Sequence, residues 1–180
     1  MKIQLMEKDM FDHSKIDFKV EKFSLMHQWE PDNLSIPVIK SAEIPSEIGV
    51  GLRRTDTKEP IGIVSDEYFP VQYAEIVDGV EQALKQAEID MTDATFTTDV
   101  YDRGAKLELR AKFPAHQMTM RENKDVVTPE FVFRTSHNRT WANNGMMGLW
   151  RSFCYNTLVS GDKLAYVYGR HTKNFNISGF

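Results

Sequence analysis

The sequence predicts an α+β fold, a twisted and mainly antiparallel β-sheet backed by one amphipathic helix, and three observations carry that expectation. Between Tyr73 and Ala87 the apolar residues Tyr73, Val77, Val80, Leu84 and Ala87 recur at three- and four-residue spacing. They lie opposite Glu75, Asp78, Glu81 and Lys85, the period of an amphipathic helix over about residues 73–87. Further on, Ala105, Leu107, Leu109, Ala111 and Phe113 alternate with Lys106, Glu108, Arg110 and Lys112. That period of two belongs to a strand with one face on a core and a mainly basic row on the other. Finally, Pro and Gly punctuate the remaining apolar runs at short intervals, as they do between short strands.

In chain order, Ile16, Phe18 and Val20 alternate with Lys15, Asp17 and Lys19 and suggest a strand in an otherwise ambiguous N-terminal stretch. Pro31, Pro37, Pro45 and Pro60 then divide the chain, leaving Ile36 to Ile39 and Val50 to Arg54 as short strands suited to edges. The β-branched run Ile61 to Val64 reads as a strand, and Pro70 closes the turn that leads into the helix. After the helix, Ala94 to Tyr101 and the alternating segment from Ala105 form a hairpin through Asp102, Arg103 and Gly104. Phe131 to His137 alternates again, with Phe131 and Phe133 on one face and Val132 and Arg134 on the other. A long strand over Met146 to Asn156, a turn at Gly161 and an aromatic strand from Leu164 to Tyr168 complete the reading.

A chain of 180 residues suits one domain, here residues 1–180, with 1–31 as an N-terminal arm and 32–180 as a β-rich core. With 41% hydrophobic and 27% charged residues, disorder and low-complexity polymers are excluded. The single cysteine excludes an internal disulfide framework and any Cys-rich metal cluster, and implies a reducing, cytoplasmic setting. No apolar run approaches the ~18 residues that span a bilayer, and Lys2, Glu7, Lys8 and Asp9 interrupt the first ten residues. The formal charge of -4 conceals an asymmetry: residues 1–102 hold 10 basic and 21 acidic residues, whereas residues 103–180 hold 12 and 5. Oppositely charged halves attract within one fold, but the same split suits a basic face that meets a polyanion.

Catalytic patterns are sparse. Cys154 needs a nearby imidazole to become a nucleophile, and His137 and His171 are available, yet its apolar surroundings suit a small buried hydrophobe better. His116, His137 and His171 lack the paired spacing that places two imidazoles on one ion, and no phosphate-cradling glycine loop occurs. No catalytic residue, cofactor or metal is therefore expected. The stretch from Arg134 to Arg151 differs. Arg134, His137, Asn138, Arg139, Trp141, Asn143 and Asn144 gather hydrogen-bond donors around an aromatic ring. Single-stranded nucleic acid requires this mixture, cations for phosphates and a ring for base stacking.

At these residues the chain resembles a known family. The stretches from Gly62 to Glu75 (GIVSDEYFPVQYAE), Phe133 to Thr140 (FRTSHNRT), Arg151 to Leu158 (RSFCYNTL) and Arg170 to Asn174 (RHTKN) look like an uncharacterised family carried by phages, plasmids and prophages. It is catalogued as domain of unknown function 932. The resemblance spans about Val50 to Asn174. Asn138 stands where that family usually has an acidic residue, and Ser152, Phe153 and Cys154 stand for its usual Val-Val-Cys. Longer relatives continue into a helical region beyond the point matching Phe180. What the resemblance implies is a context, mobile-element replication and recombination in a bacterial host cytoplasm. In outline, a β-rich sheet backed by a helix is also similar to the Rad-fifty-two type of single-strand annealing protein, by analogy of fold alone.

The resulting expectation is a phage-type single-stranded DNA-binding and annealing protein that acts as a homo-oligomer, ring or filament, without chemical catalysis. Lys106, Arg110, Lys112, Arg134, Arg139, Arg151, Arg170 and Lys173 would neutralise phosphates, and Trp141 would stack on a base. The rival expectation is a regulator or inhibitor of a host defence enzyme, whose acidic half mimics nucleic acid and whose partner is a host protein.

Overall fold

A computed structural model describes residues 9–29, 42–120, 125–150 and 163–169. Its strands are β1 (Val20–Trp29), β2 (Ala42–Arg54), β3 (Pro60–Val64), β4 (Thr95–Tyr101), β5 (Lys106–Lys112), β6 (Met118–Met120), β7 (Asp125–Ser136), β8 (Asn143–Trp150) and β9 (Lys163–Gly169). One α-helix, α1, spans Tyr73–Gln86 between β3 and β4. Every recorded strand pairing is antiparallel. The strands form two sheets, one ordered β1-β2-β3 and the other β4-β5-β7-β8-β9 with β6 paired to β7. The fold is α+β, with two sheets where the sequence pattern suggests one.

The alternations place the core. Leu107, Leu109 and Ala111 of β5 are fully buried, and Phe131 and Phe133 of β7 lie beside them in the same apolar cluster. From α1, Tyr73, Ile76, Val77, Val80 and Leu84 join that cluster, as do Leu52 of β2 and Val64 of β3. Burying an aliphatic or aromatic side chain of this size contributes about 1.5–3 kcal/mol, so the helix is held chiefly by its apolar stripe. Its cap agrees, since Gln72 precedes the helix without a capping side-chain hydrogen bond. The Gln72 side chain instead donates to the Val20 carbonyl (3.1 Å) and accepts from the Val20 amide (2.8 Å), tying the helix start to β1.

Several sequence expectations are corrected here. The alternation at Ile16, Phe18 and Val20 is no strand up to Val20: His13–Ile16 form a 3-10 turn and β1 begins at Val20. Val50 to Arg54 belongs to a longer strand that lies between β1 and β3, so it is central and not an edge. Glu81, expected on the solvated side of the helix, is buried. Its Oε1 accepts hydrogen bonds from the amides of Met10 (3.0 Å) and Phe11 (2.9 Å) and lies 3.2 Å from His13 Nε2. A buried carboxylate is tolerated when donors surround it, and here the N-terminal segment supplies them. Residues 9–16 are thereby clasped to the helix. The expected strands over Ile36 to Ile39 and beyond Trp150, and the turn at Gly161, lie outside the described residues.

Contact between the two sheets depends on two glycines. Gly104, at φ 100°, ends the β4–β5 turn, and a Cβ there would come 3.0 Å from the Phe18 ring and 3.1 Å from Arg54 Cδ. Gly62 of β3 approaches the turn after β7 so closely that a Cβ would stand 3.0 Å from Asn138 Cα.

Candidate nucleic-acid interface

Because directly opposite residues in antiparallel strands share a face, registers define the surface of the larger sheet away from its buried row. One row runs across five strands: Asp99 of β4, Glu108 of β5, Arg134 of β7, Asn144 of β8 and Tyr168 of β9. The neighbouring row toward the β7–β8 turn places Tyr101 beside Lys106 and Lys106 beside Ser136. Tyr101 is 43% exposed and Tyr168 58% exposed, so the surface carries an aromatic residue on β4 and another on β9.

Within it the expected cations are not arranged as a simple basic row. Glu108 is buried at 4% exposure, and Arg110 Nε (2.7 Å) and Arg134 Nε (2.5 Å) bind its two carboxylate oxygens. Arg110 also reaches Glu130 Oε1 at 3.3 Å, and Lys106 Nζ meets Asp102 Oδ2 at 2.6 Å. Burial alone would push the Glu108 carboxyl up. The hydrogen bonds and charges of Arg110 and Arg134 outweigh that and hold it below the ordinary glutamate range. Four sequence-predicted cations therefore sit on the strands of this face, and three of them are already spent on carboxylates. Lys112, exposed at the end of β5, has no ion-pair partner among the described residues.

Trp141 joins this face from the β7–β8 turn. Lys106 Nζ lies 5.1 Å and Arg134 Cζ 5.6 Å from its ring centroid, and Tyr101 meets it edge-on at 5.8 Å. The indole is half-buried by these neighbours. Each cation over an aromatic face contributes about 0.5–1 kcal/mol at a partly exposed site, so the cluster fixes the ring and its cations together. The turn itself is built by side chains. Ser136 Oγ donates to the Trp141 carbonyl and accepts from the Trp141 amide, both at 2.9 Å. The Asn138 side-chain oxygen Oδ1 accepts from the Thr140 amide (3.2 Å) and hydroxyl (2.6 Å), the Asx geometry that makes asparagine a turn residue. Arg139 takes the left-handed conformation at φ 64°.

Beneath the turn, His137 is fully buried, so the donor-rich stretch read from the sequence is exposed only in part. Its amide donates to the Ala105 carbonyl (2.8 Å), its Nδ1 lies 3.2 Å from the Tyr68 hydroxyl, and the Tyr73 ring stacks on it at 4.5 Å. Burial pushes the Tyr68 and Tyr73 phenols well above their ordinary values and keeps both protonated. Asn143, 2% exposed, accepts a hydrogen bond from the Thr135 hydroxyl through Oδ1. Its Nδ2 has no partner among the described residues, and such a buried donor costs about 1–3 kcal/mol.

Between the β3–α1 loop and this turn opens a cleft of about 590 Å³, with Glu67, Tyr68, Arg139, Trp141, Asn143 and Tyr168 in its walls. Two of the four family-like stretches reach it, the first through Glu67 and Tyr68 and the second through Arg139. Of the nine residues predicted for the site, Lys106, Arg110, Lys112, Arg134 and Trp141 are brought to one face and Arg139 to the cleft beside it. Arg151, Arg170 and Lys173 lie outside the described residues. Sequence reasoning missed Tyr101, Glu67, Tyr68 and Tyr168. The short Tyr101 to Lys106 separation across an Asp-Arg-Gly turn was the available signal for the first. Elsewhere, Asp9, His13 and Glu81 bring one potential metal-donor atom each within 4.8 Å of the others. Glu81 there is already occupied by backbone donors.

The family model described as domain of unknown function (DUF932) matches residues 60–178. That interval covers β3, the helix and every strand of the larger sheet. No curated protein and no solved structure matches the chain.

Proposed function

The chain belongs to the DUF932 family, whose description assigns no reaction, and we propose that it is a single-stranded DNA-binding and annealing protein of mobile-element type. It acts as a homo-oligomer in the host cytoplasm and needs no chemical step. The observation that carries this reading is the cluster of Trp141 and Tyr101 with Lys106 and Arg134 on an antiparallel sheet surface. Such a surface offers rings to bases and cations to the phosphates between them, and stacking is worth about 1–3 kcal/mol per base. Tyr168 extends the aromatic series to the far strand. The ion pairs refine the mechanism. Because Lys106, Arg110 and Arg134 share their charge with Asp102, Glu108 and Glu130, few counterions are released on binding, and stacking leads. Exposed Glu75 and Asp78 on α1 suit contact with the basic part of a neighbouring subunit, which gives head-to-tail assembly.

Anisotropy of a labelled oligonucleotide, measured across salt concentrations, tests this. Binding is expected at low salt, with a log–log salt slope shallower than about -3, and a large drop when Tyr101→Ala and Trp141→Ala are combined. No binding at low salt, or binding indifferent to Arg134→Ala with Arg139→Ala, would overturn it.

One observation favours the rival reading, a protein-binding regulator of a host enzyme: Arg110 and Arg134 of the expected basic face are neutralised by buried carboxylates. That reading requires a monomer or small dimer that ignores DNA. Solution mass with and without single-stranded DNA separates the two.

A further inference from the structure

We propose that the cleft beside Trp141 is a site for one nucleotide, with the base held between polar edge groups and aromatic walls and the phosphate at Arg139. The class of ligand rests on the strand-binding reading above; the site itself rests on the cleft. A volume of about 590 Å³ falls within the roughly 300–1,000 Å³ of small-molecule sites. Its walls combine what a nucleotide requires. Trp141 and Tyr168 supply ring surface, and Arg139 supplies an exposed cation that has no ion-pair partner among the described residues. Glu67, also exposed and unpaired among them, accepts from a base N–H.

Asn143 points to a ligand independently. Asn143 lines the cleft, and folding has used its oxygen, through the Thr135 hydroxyl, and left its buried amide nitrogen without an acceptor among the described residues. A carbonyl or ring nitrogen of a base is an acceptor of the required kind. Arg139 holds its cation from a left-handed backbone position that a non-glycine residue adopts at a cost. The nucleotide belongs either to a bound strand or to the free pool.

Calorimetry of the full chain with the four deoxynucleoside 5′-monophosphates and their nucleosides tests the site. At least one monophosphate is expected to bind, about tenfold tighter than its nucleoside. Arg139→Gly, which suits the backbone at that position, is expected to abolish this phosphate advantage while the melting temperature stays level or rises. Asn143→Asp, which keeps an acceptor for Thr135 and removes the amide donor, is expected to weaken monophosphate and nucleoside alike by at least about tenfold; if it melts early, Glu67→Gln provides the second test, with a loss confined to the base. Absence of binding at millimolar monophosphate, or equal binding by parent and all three variants, overturns the proposal. Displacement of labelled oligonucleotide by the monophosphate assigns the site to the strand's path, and simultaneous binding assigns it to free nucleotide. A chain that binds monophosphate but no oligonucleotide keeps the cleft and loses the strand-binding reading, whereas the reverse result loses only the cleft.

Discussion

The body of one strand, β7, and the turn that follows it differ in what folding leaves available. Along its middle, Arg134 and Glu130 are locked into the ion-pair lattice around buried Glu108. At its end, where the chain turns through Asn138 and Arg139, Glu67 and Arg139 stand across a cleft without ion-pair partners among the described residues, and Asn143 keeps a donor unused. Charge on the sheet face is thus spent largely on the fold, whereas polarity at the turn is not. A count of cations along the sequence cannot distinguish them.

Glu108→Gln attacks the first region and carries the largest expected effect. It removes the charge that orients both arginines and should cost roughly 1–3 kcal/mol, lowering the melting temperature by about 2–4 °C for each kcal/mol in a chain of this size. The freed arginines should raise oligonucleotide affinity and steepen its salt dependence; unchanged stability would show the lattice to be incidental. Gly62→Ala attacks the second. Its Cβ would press on Asn138 Cα at 3.0 Å, with an overpacking cost of about 1–2 kcal/mol and a loss of nucleotide binding at the displaced turn, but little change in the salt dependence set by the sheet face. The smallest effect is in acid. Because the Glu108 carboxyl is held below its ordinary range, its contribution is complete above the unfolded value and is lost as the pH falls through the lowered folded value. Parent and Glu108→Gln stabilities, measured by denaturant titration between pH 6 and pH 3, should therefore converge toward the acid end.

Local periodicity made much of the fold legible. The alternation at Ala105 to Phe113 and the three- and four-residue spacing from Tyr73 identified β5 and α1 because each buries one face. What failed was long-range. Nothing near Glu81 announces that the amides of Met10 and Phe11 come to it. The split into two sheets depends on pairings that no single segment encodes. In the site, residue types at 106, 110, 134 and 141 were readable, but the pairing of Arg134 with Glu108 depends on strand register, which sets β5 beside β7. Tyr168 and Glu67 come to line one cleft only after the chain has folded, so no spacing in the sequence joins them.

The clasp at Glu81 also sets an order of assembly. Its carboxylate and the Phe11 amide are separated by 70 residues, and closing a loop of that length costs roughly 4 kcal/mol of chain entropy. α1 and the β4–β5 hairpin need only short-range closure. Hydrogen exchange is therefore expected to show the Met10 and Phe11 amides opening at lower free energy than the core strand β5, the mark of an N-terminal segment that docks onto an already formed helix.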